Sequence, residues 1–153
     1  MARFGLALLA WLALPAGCIT PAQNRRDALV RVVHEYNDGL RWKRYDRVTS
    51  HLAAAQAEHF LKVSNALGDD YQMADQEVVV IEPMGDDGTH ASVTVNFAWY
   101  NQRRALLQKA VVVEDWRFRD GRWICDGQRR VQGDGLPLFS EADPRRTPEP
   151  AAL

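Results

Sequence analysis

Cysteine is scarce in this chain, which carries only Cys18 and Cys125. An exported domain stapled by disulfides would carry more, usually in an even set. No cysteine pair has the spacing of a structural zinc site. Charge of one sign is lacking too. The 19 lysines and arginines face 20 acidic residues, for a formal charge of −1 at pH 7. The basic stripe that marks a nucleic-acid partner is therefore missing, as are P-loop and RNA-binding patterns. The histidines do not make a metal motif: His51, Glu58 and His59 can share a helical face, but zinc on a helix wants His at i and i+4. No cofactor fingerprint and no internal repeat is present. Beyond the first twenty residues there is no long apolar run.

That first stretch is the most informative part of the sequence. Arg3 supplies a short positive region, Gly5 to Leu14 an apolar core of ten residues, and small residues then lead into Cys18. This is the three-part layout of an export signal. Its end, Leu14-Pro15-Ala16-Gly17-Cys18, resembles a bacterial lipoprotein signal, in which the cysteine is lipidated and becomes the new N-terminus. The resemblance implies a membrane partner reached through a lipid on Cys18. Ile19, where an Asp would retain a lipoprotein in the inner membrane, implies the outer membrane facing the periplasm. The family pattern prefers an aliphatic residue where Pro15 stands, so two other fates stay open. One is an ordinary cleavage releasing a soluble periplasmic protein; the other is a retained N-terminal anchor, short against the ~20 apolar residues that span a bilayer. With Cys18 lipidated, Cys125 has no partner in the chain and reads as a small buried apolar residue.

Removing residues 1–17 leaves enough chain for one domain. Residues 18–26 read as the lipidated cysteine and a polar tether. Helix is expected from Asp27, a plausible N-cap. Leu29, Val32, Val33, Tyr36 and Leu40 then form one apolar stripe at helical period. Gly39 weakens that helix by about 1 kcal/mol relative to Ala, which favours a bend there. Further helices are expected over residues 43–51 and 53–67, the latter ending at Gly68. The period then changes. Residues 77–82 carry Val78-Val79-Val80-Ile81, and residues 84–88 make a turn. Ala91, Val93, Val95, Phe97 and Trp99 alternate with Ser92, Thr94, Asn96 and Tyr100, the mark of a one-sided antiparallel strand. Strands over residues 106–119 and 122–130 close a second hairpin at Asp120-Gly121. Residues 132–153 are rich in Pro, Gly and charge, and read as a disordered tail. The sum is an α+β domain over residues 27–131, with N-terminal helices packed on a strongly curved antiparallel sheet of about four strands.

This element order, with residues 40–46 after the first helix and the closing hairpin of residues 112–123, resembles the nuclear transport factor 2-like (cystatin-like, SnoaL-like) superfamily. The resemblance covers residues 27–130 and implies a sheet bent around a helix into a cone, often dimerised through its open sheet face. Enzymes of that superfamily place acids and hydrogen-bond donors in the cone mouth. The matching chemistry asks for a carboxylate in an apolar pocket facing a phenol. Glu114 is the candidate carboxylate, since alternation puts it with Val112, Trp116 and Phe118; a bulge would substitute Asp115. Tyr36, Tyr45 and Tyr71 are candidate phenols. The plainer expectation is a carboxylate held by Arg117, Arg119 or Arg122. Tyr36, Trp42, Tyr71, Glu114 and Trp116 are thus the candidate pocket residues. The aromatics, Trp42, Trp99, Trp116 and Trp123 among them, equally suit core packing. The basic cluster Arg41, Lys43, Arg44 and Arg47 reads as a solvated face interleaved with Asp38 and Asp46.

Together these readings point to a non-enzymatic, membrane-tethered envelope lipoprotein that serves as a binding or assembly module. Two alternatives accompany it: a carrier of a small apolar ligand, and an isomerase- or cyclase-type enzyme using Glu114 or Asp115.

Overall fold

A computed structural model describes residues 20–85 and 87–139. Cys18 and the export signal, like residues 140–153, lie outside the described residues. The chain forms α1 (Pro21–Arg41), α2 (Tyr45–Ser50) and α3 (Ala54–Leu67), then a short 3₁₀ turn (Gly68–Asp70). Four strands follow: β1 (Tyr71–Met84), β2 (His90–Asn101), β3 (Leu106–Arg119) and β4 (Arg122–Gly133). The strands form one antiparallel meander in the order β1-β2-β3-β4. Helices followed by such a sheet make the expected α+β class. Among the described residues no helix is long and apolar enough to cross a membrane.

The first helix begins earlier than Asp27. Thr20 caps it, its hydroxyl accepting from the Gln23 amide at 3.2 Å, and Pro21 occupies the first turn. Thr at the cap with Pro just inside is a strong start signal, because proline's missing N–H is lost nowhere else at lower cost. Residues 21–26, expected as tether, are therefore helical. Nor does α1 break at Gly39. That glycine is buried, and a Cβ there would stand 2.9 Å from Val48 Cγ2 and 3.2 Å from the Arg44 carbonyl. Its role is to let α2 cross α1 closely.

The sheet's inner face follows from the alternation. Ala91, Val93, Val95, Phe97 and Trp99 of β2 are all buried, and they meet Leu29, Val33, Tyr36 and Leu40 of α1 in one core. This strand supplies core and leaves Ser92, Thr94 and Asn96 for the opposite face. Strand β1 starts at Tyr71 rather than residue 77, with Tyr71 and Met73 buried and paired to Asn101 and Trp99. A register shift between Met73 and Asp75 breaks the sequence alternation there, which hides the first half of the strand. Further shifts lie at Val78/Val80, Val111/Val112 and Asp115/Trp116.

The fold also runs past residue 131. At Gly133 (φ 87°) a Cβ would overlap the Lys109 carbonyl, so only glycine allows the chain to pass there. Asp134 then bonds Lys109 in both directions, its amide donating at 2.8 Å and its carboxylate accepting at 3.2 Å. Beyond this turn Leu136 and Leu138 are buried, and Phe139 stacks on Phe60 with centroids 5.9 Å apart. Residues 132–139, expected as tail, thus cover part of the core. Two apolar side chains inserted this way offset the ordering of a short Gly- and Pro-containing segment, at about 1.5–3 kcal/mol each.

Candidate functional site

At the centre of the inner face sits a charge-bearing side chain. Alternation along β3 directs Val112, Glu114 and Trp116 inward, and the nearby bulge adds its extra residue, Asp126, to β4 instead. Glu114 is consequently 0% exposed, while Asp115 lies on the exposed side. Asp115 is thereby set aside as the inward carboxylate.

Three neutral groups hold Glu114. Trp116 Nε1 donates to Oε2 at 2.9 Å, Asn37 Nδ2 to the same oxygen at 3.3 Å, and Gln128 Nε2 to Oε1 at 3.2 Å. Gln128 Nε2 also donates to the Tyr36 hydroxyl at 3.1 Å, and Asn37 Nδ2 to the Val33 carbonyl at 3.0 Å. The arginines expected to neutralise Glu114 are elsewhere. Arg117 and Arg119 pair with Asp126 at 2.8 and 3.2 Å, and Arg122 donates to the Ser50 carbonyl. Burial without a cation disfavours the carboxylate and raises the Glu114 pKa to about 7, although the three donors partly oppose that rise. Burial, then the neighbouring Cys125 and Glu114, push the Tyr36 hydroxyl well above its usual range. Burial and Glu114 do the same to the Cys125 thiol, which the Tyr36 hydroxyl partly opposes by hydrogen bonding to it.

Of the five candidate pocket residues, Tyr36, Glu114 and Trp116 come together, the two aromatic rings meeting edge-on at 5.3 Å. Tyr71 does not join them. It is buried at the far end of β2 from Glu114, opposite Asn101, where its hydroxyl has no hydrogen-bond partner. Trp42 is 63% exposed and lies under the Arg41 guanidinium, because α1 ends there and turns it outward. Asn37 and Gln128 were not among the expected residues. Asn37 follows Val33 by one helical turn, so a polar side chain in the apolar phase of α1 was a usable signal. Gln128 gave none, since the extra residue Asp126 reverses the phase of β4 just before it.

Against this cluster lies an open cleft of about 270 Å³ between α3 and β4. Leu52, Ala55 and Phe60 line its helical side, Leu138 and Phe139 its end, and Cys125 and Gln128 the strand side. The loop before α3 is fixed to β4 there. The Cys125 amide donates to the His51 carbonyl at 2.8 Å and Gln56 Nε2 to the Asp126 carbonyl at 2.8 Å. Gln128 therefore belongs to both the cleft and the Glu114 cluster.

Comparisons with protein-family models, curated proteins and solved structures find no match to this chain. Function must then be read from the site itself.

Among the described residues no three His, Cys, Asp or Glu side chains stand close enough to hold a metal ion. What the arrangement can do is present a small, mainly apolar recess with the Gln56 and Gln128 amides and His59 in its wall, backed by a buried carboxyl group whose pKa burial raises to about 7.

Proposed function

We propose that this domain binds a small, mainly apolar molecule in the cleft between α3 and β4, as a lipoprotein tethered through Cys18 to the outer membrane and facing the periplasm. The observation that carries the binding reading is the cleft itself: apolar on most sides, with Gln56, His59 and Gln128 as its polar wall. Sites of this kind combine apolar walls with a few placed polar groups that orient the ligand. The helices-then-meander order and the four register shifts support the cone of the nuclear transport factor 2-like superfamily, in which such recesses are common. The signal ending in Cys18 supports the tether, and with it a binding rather than catalytic role. A homodimer through the outer sheet face, where Val80 is exposed beside Thr94, completes the reading.

Acid–base chemistry at Glu114 is the second reading, favoured by a buried carboxyl that no cation neutralises. It ranks lower because Gln128, and not Glu114, lines the cleft, so a substrate would first have to displace that amide.

Fluorescence titration with N-phenyl-1-naphthylamine, a neutral apolar probe, tests the cleft. Saturable one-to-one binding is expected, with loss in Ala55→Trp, which fills the recess. Absence of saturable binding, or binding unchanged in Ala55→Trp, would remove the reading. Mass spectrometry of the mature N-terminus tests the tether: a diacylglyceryl group on Cys18 supports it, and an unmodified start at another residue ends it.

A further inference from the structure

The start of α1 is built into one end of the sheet. It packs against the turn between β1 and β2, where a Cβ on Gly88 would stand 3.8 Å from Ala22 Cβ and Arg25 Nη2 donates to the Asp87 carbonyl at 2.8 Å. Trp123, at the start of β4, donates its Nε1–H to the Arg25 carbonyl at 2.9 Å, and the Arg25 guanidinium lies over the Phe118 ring. The Phe118 amide joins the two turns by donating to the Thr89 carbonyl at 2.7 Å. Thr20, the β1–β2 turn and the β3–β4 turn therefore share one end of the domain. The β2–β3 turn lies at the other. Met84 pairs with His90 and Leu106 with Asn101, so the two ends are separated by the length of β2, about 36 Å of strand.

Chain length fixes what the first end faces. Thr20 is locked into the fold as the cap of α1, its hydroxyl accepting from the Gln23 amide at 3.2 Å. Ile19 alone separates it from Cys18. Even fully extended, that link reaches only about 7 Å. Residues 21–26, which as a tether would let the domain drift away from an anchor, are taken up in α1.

We propose that this end of the domain rests on the phospholipid surface, held there by the short link from Cys18 to Thr20, with the β2–β3 turn facing away from the membrane. The inference deepens the tether reading and rests on it. Arg26 and Arg122 are exposed cations at this end, and such groups are attracted to anionic headgroups. The exposed acids Asp27 and Asp120 lie among them, and Asp87 spends both carboxylate oxygens on Thr89, at 3.0 and 2.6 Å. The end carries both signs, so the link and not net charge sets the orientation. The cleft is affected too. It begins at Leu52 and Cys125, and Cys125 follows Arg122 closely along β4, about 10 Å from the membrane-facing end. Apolar molecules dissolved in the bilayer are then its nearest supply.

The test couples residues 18–153 through Cys18 to maleimide-bearing lipid in nanodiscs of phosphatidylethanolamine and phosphatidylglycerol. Every described element lies within those residues, and Cys125 is buried, which leaves Cys18 as the reactive thiol. A few lipids carry gadolinium on the headgroup, and Met and Leu methyl groups are ¹³C-labelled for NMR. Met84, 53% exposed, reports the proposed contact; Leu106 and Leu107, 63% and 53% exposed, report the opposite end. Broadening at Met84 should exceed that at the two leucines at least about tenfold, given the strand length between them. A flexible Gly-Ser insert of about ten residues between Ile19 and Thr20 adds roughly 17 Å of reach and should remove the contrast. The insert precedes the cap and leaves α1 intact.

Equal broadening at the two ends overturns the orientation. A contrast that survives the insert overturns the link as its cause. The coupling supplies its own anchor, so the two readings fail separately: an unmodified mature N-terminus removes the tether in the cell, whereas a lipidated Cys18 without the Met84 contrast removes this inference alone.

Discussion

On the solvent side of the sheet, Asp126 sits between Arg117 and Arg119 at 2.8 and 3.2 Å, with its side chain 29% exposed. Beneath it on the inner face, Glu114 is wholly buried and accepts from an indole and two amides. The two carboxylates lie on neighbouring strands, close to the same bulge. Asp126 has charge partners it hardly needs, since water screens an exposed group and such pairs contribute about 0–1 kcal/mol. Glu114 lacks a partner where one would matter most, because an isolated charge in the interior is strongly disfavoured unless it is neutralised. An acid placed for stability alone would show the reverse arrangement. The contrast points to Glu114 as a group held ready to take or release a proton, and to Asp126 as ordinary surface pairing.

The largest effect should come from stripping the cluster's wall. Trp116→Ala removes a buried indole and one of the three donors to Glu114, and should lose about 4 kcal/mol or more in denaturant unfolding. Leu138→Ala opens the core beside the cleft and should lose about 3 kcal/mol, a result that a dispensable tail would not give. Glu114→Gln should act in the opposite sense and depend on pH. The folded state raises this pKa from 4.5 to about 7, so between those values it holds a proton that the unfolded chain releases. Stability therefore falls as pH rises through that window, by up to about 3 kcal/mol, and is flat above it. The isosteric, always neutral Gln should match the parent below pH 4.5 and exceed it near about pH 8. The smallest effect belongs to the surface acid: Asp126→Asn should change stability by less than about 1 kcal/mol. A large effect of Asp126→Asn, or a pH-independent effect of Glu114→Gln, would erase the contrast.

The inner half of this comparison was open to a reader of the sequence, and its details were not. Strict alternation along β2 and β3 places Phe97, Trp99, Glu114 and Trp116 without any structure, because a period of two fixes the face of every residue until a bulge intervenes. The phase reversal at Asp126 is such an intervention, and it concealed Gln128. Arg117 and Arg119 looked close enough in sequence to hold Glu114, yet alternation itself sends them to the other face, where Asp126 takes them. Trp42 read as pocket lining because it is one of the few large aromatics, but the end of α1 turns it outward. Pro- and Gly-rich composition made residues 132–139 resemble a tail, and two leucines at the right distance beyond Gly133 were enough to fold them. At the other end, the Thr20-Pro21 start signal outweighed Asp27 as a cap.

The proton on Glu114 is the point on which the contrast stands, and a ¹³C NMR titration of its side-chain carboxyl measures it directly. A midpoint near 7 is the expected result for a buried acid held only by neutral donors. A midpoint at or below its ordinary value of 4.5 would contradict it, showing that the site is built to keep the charge and not to exchange the proton.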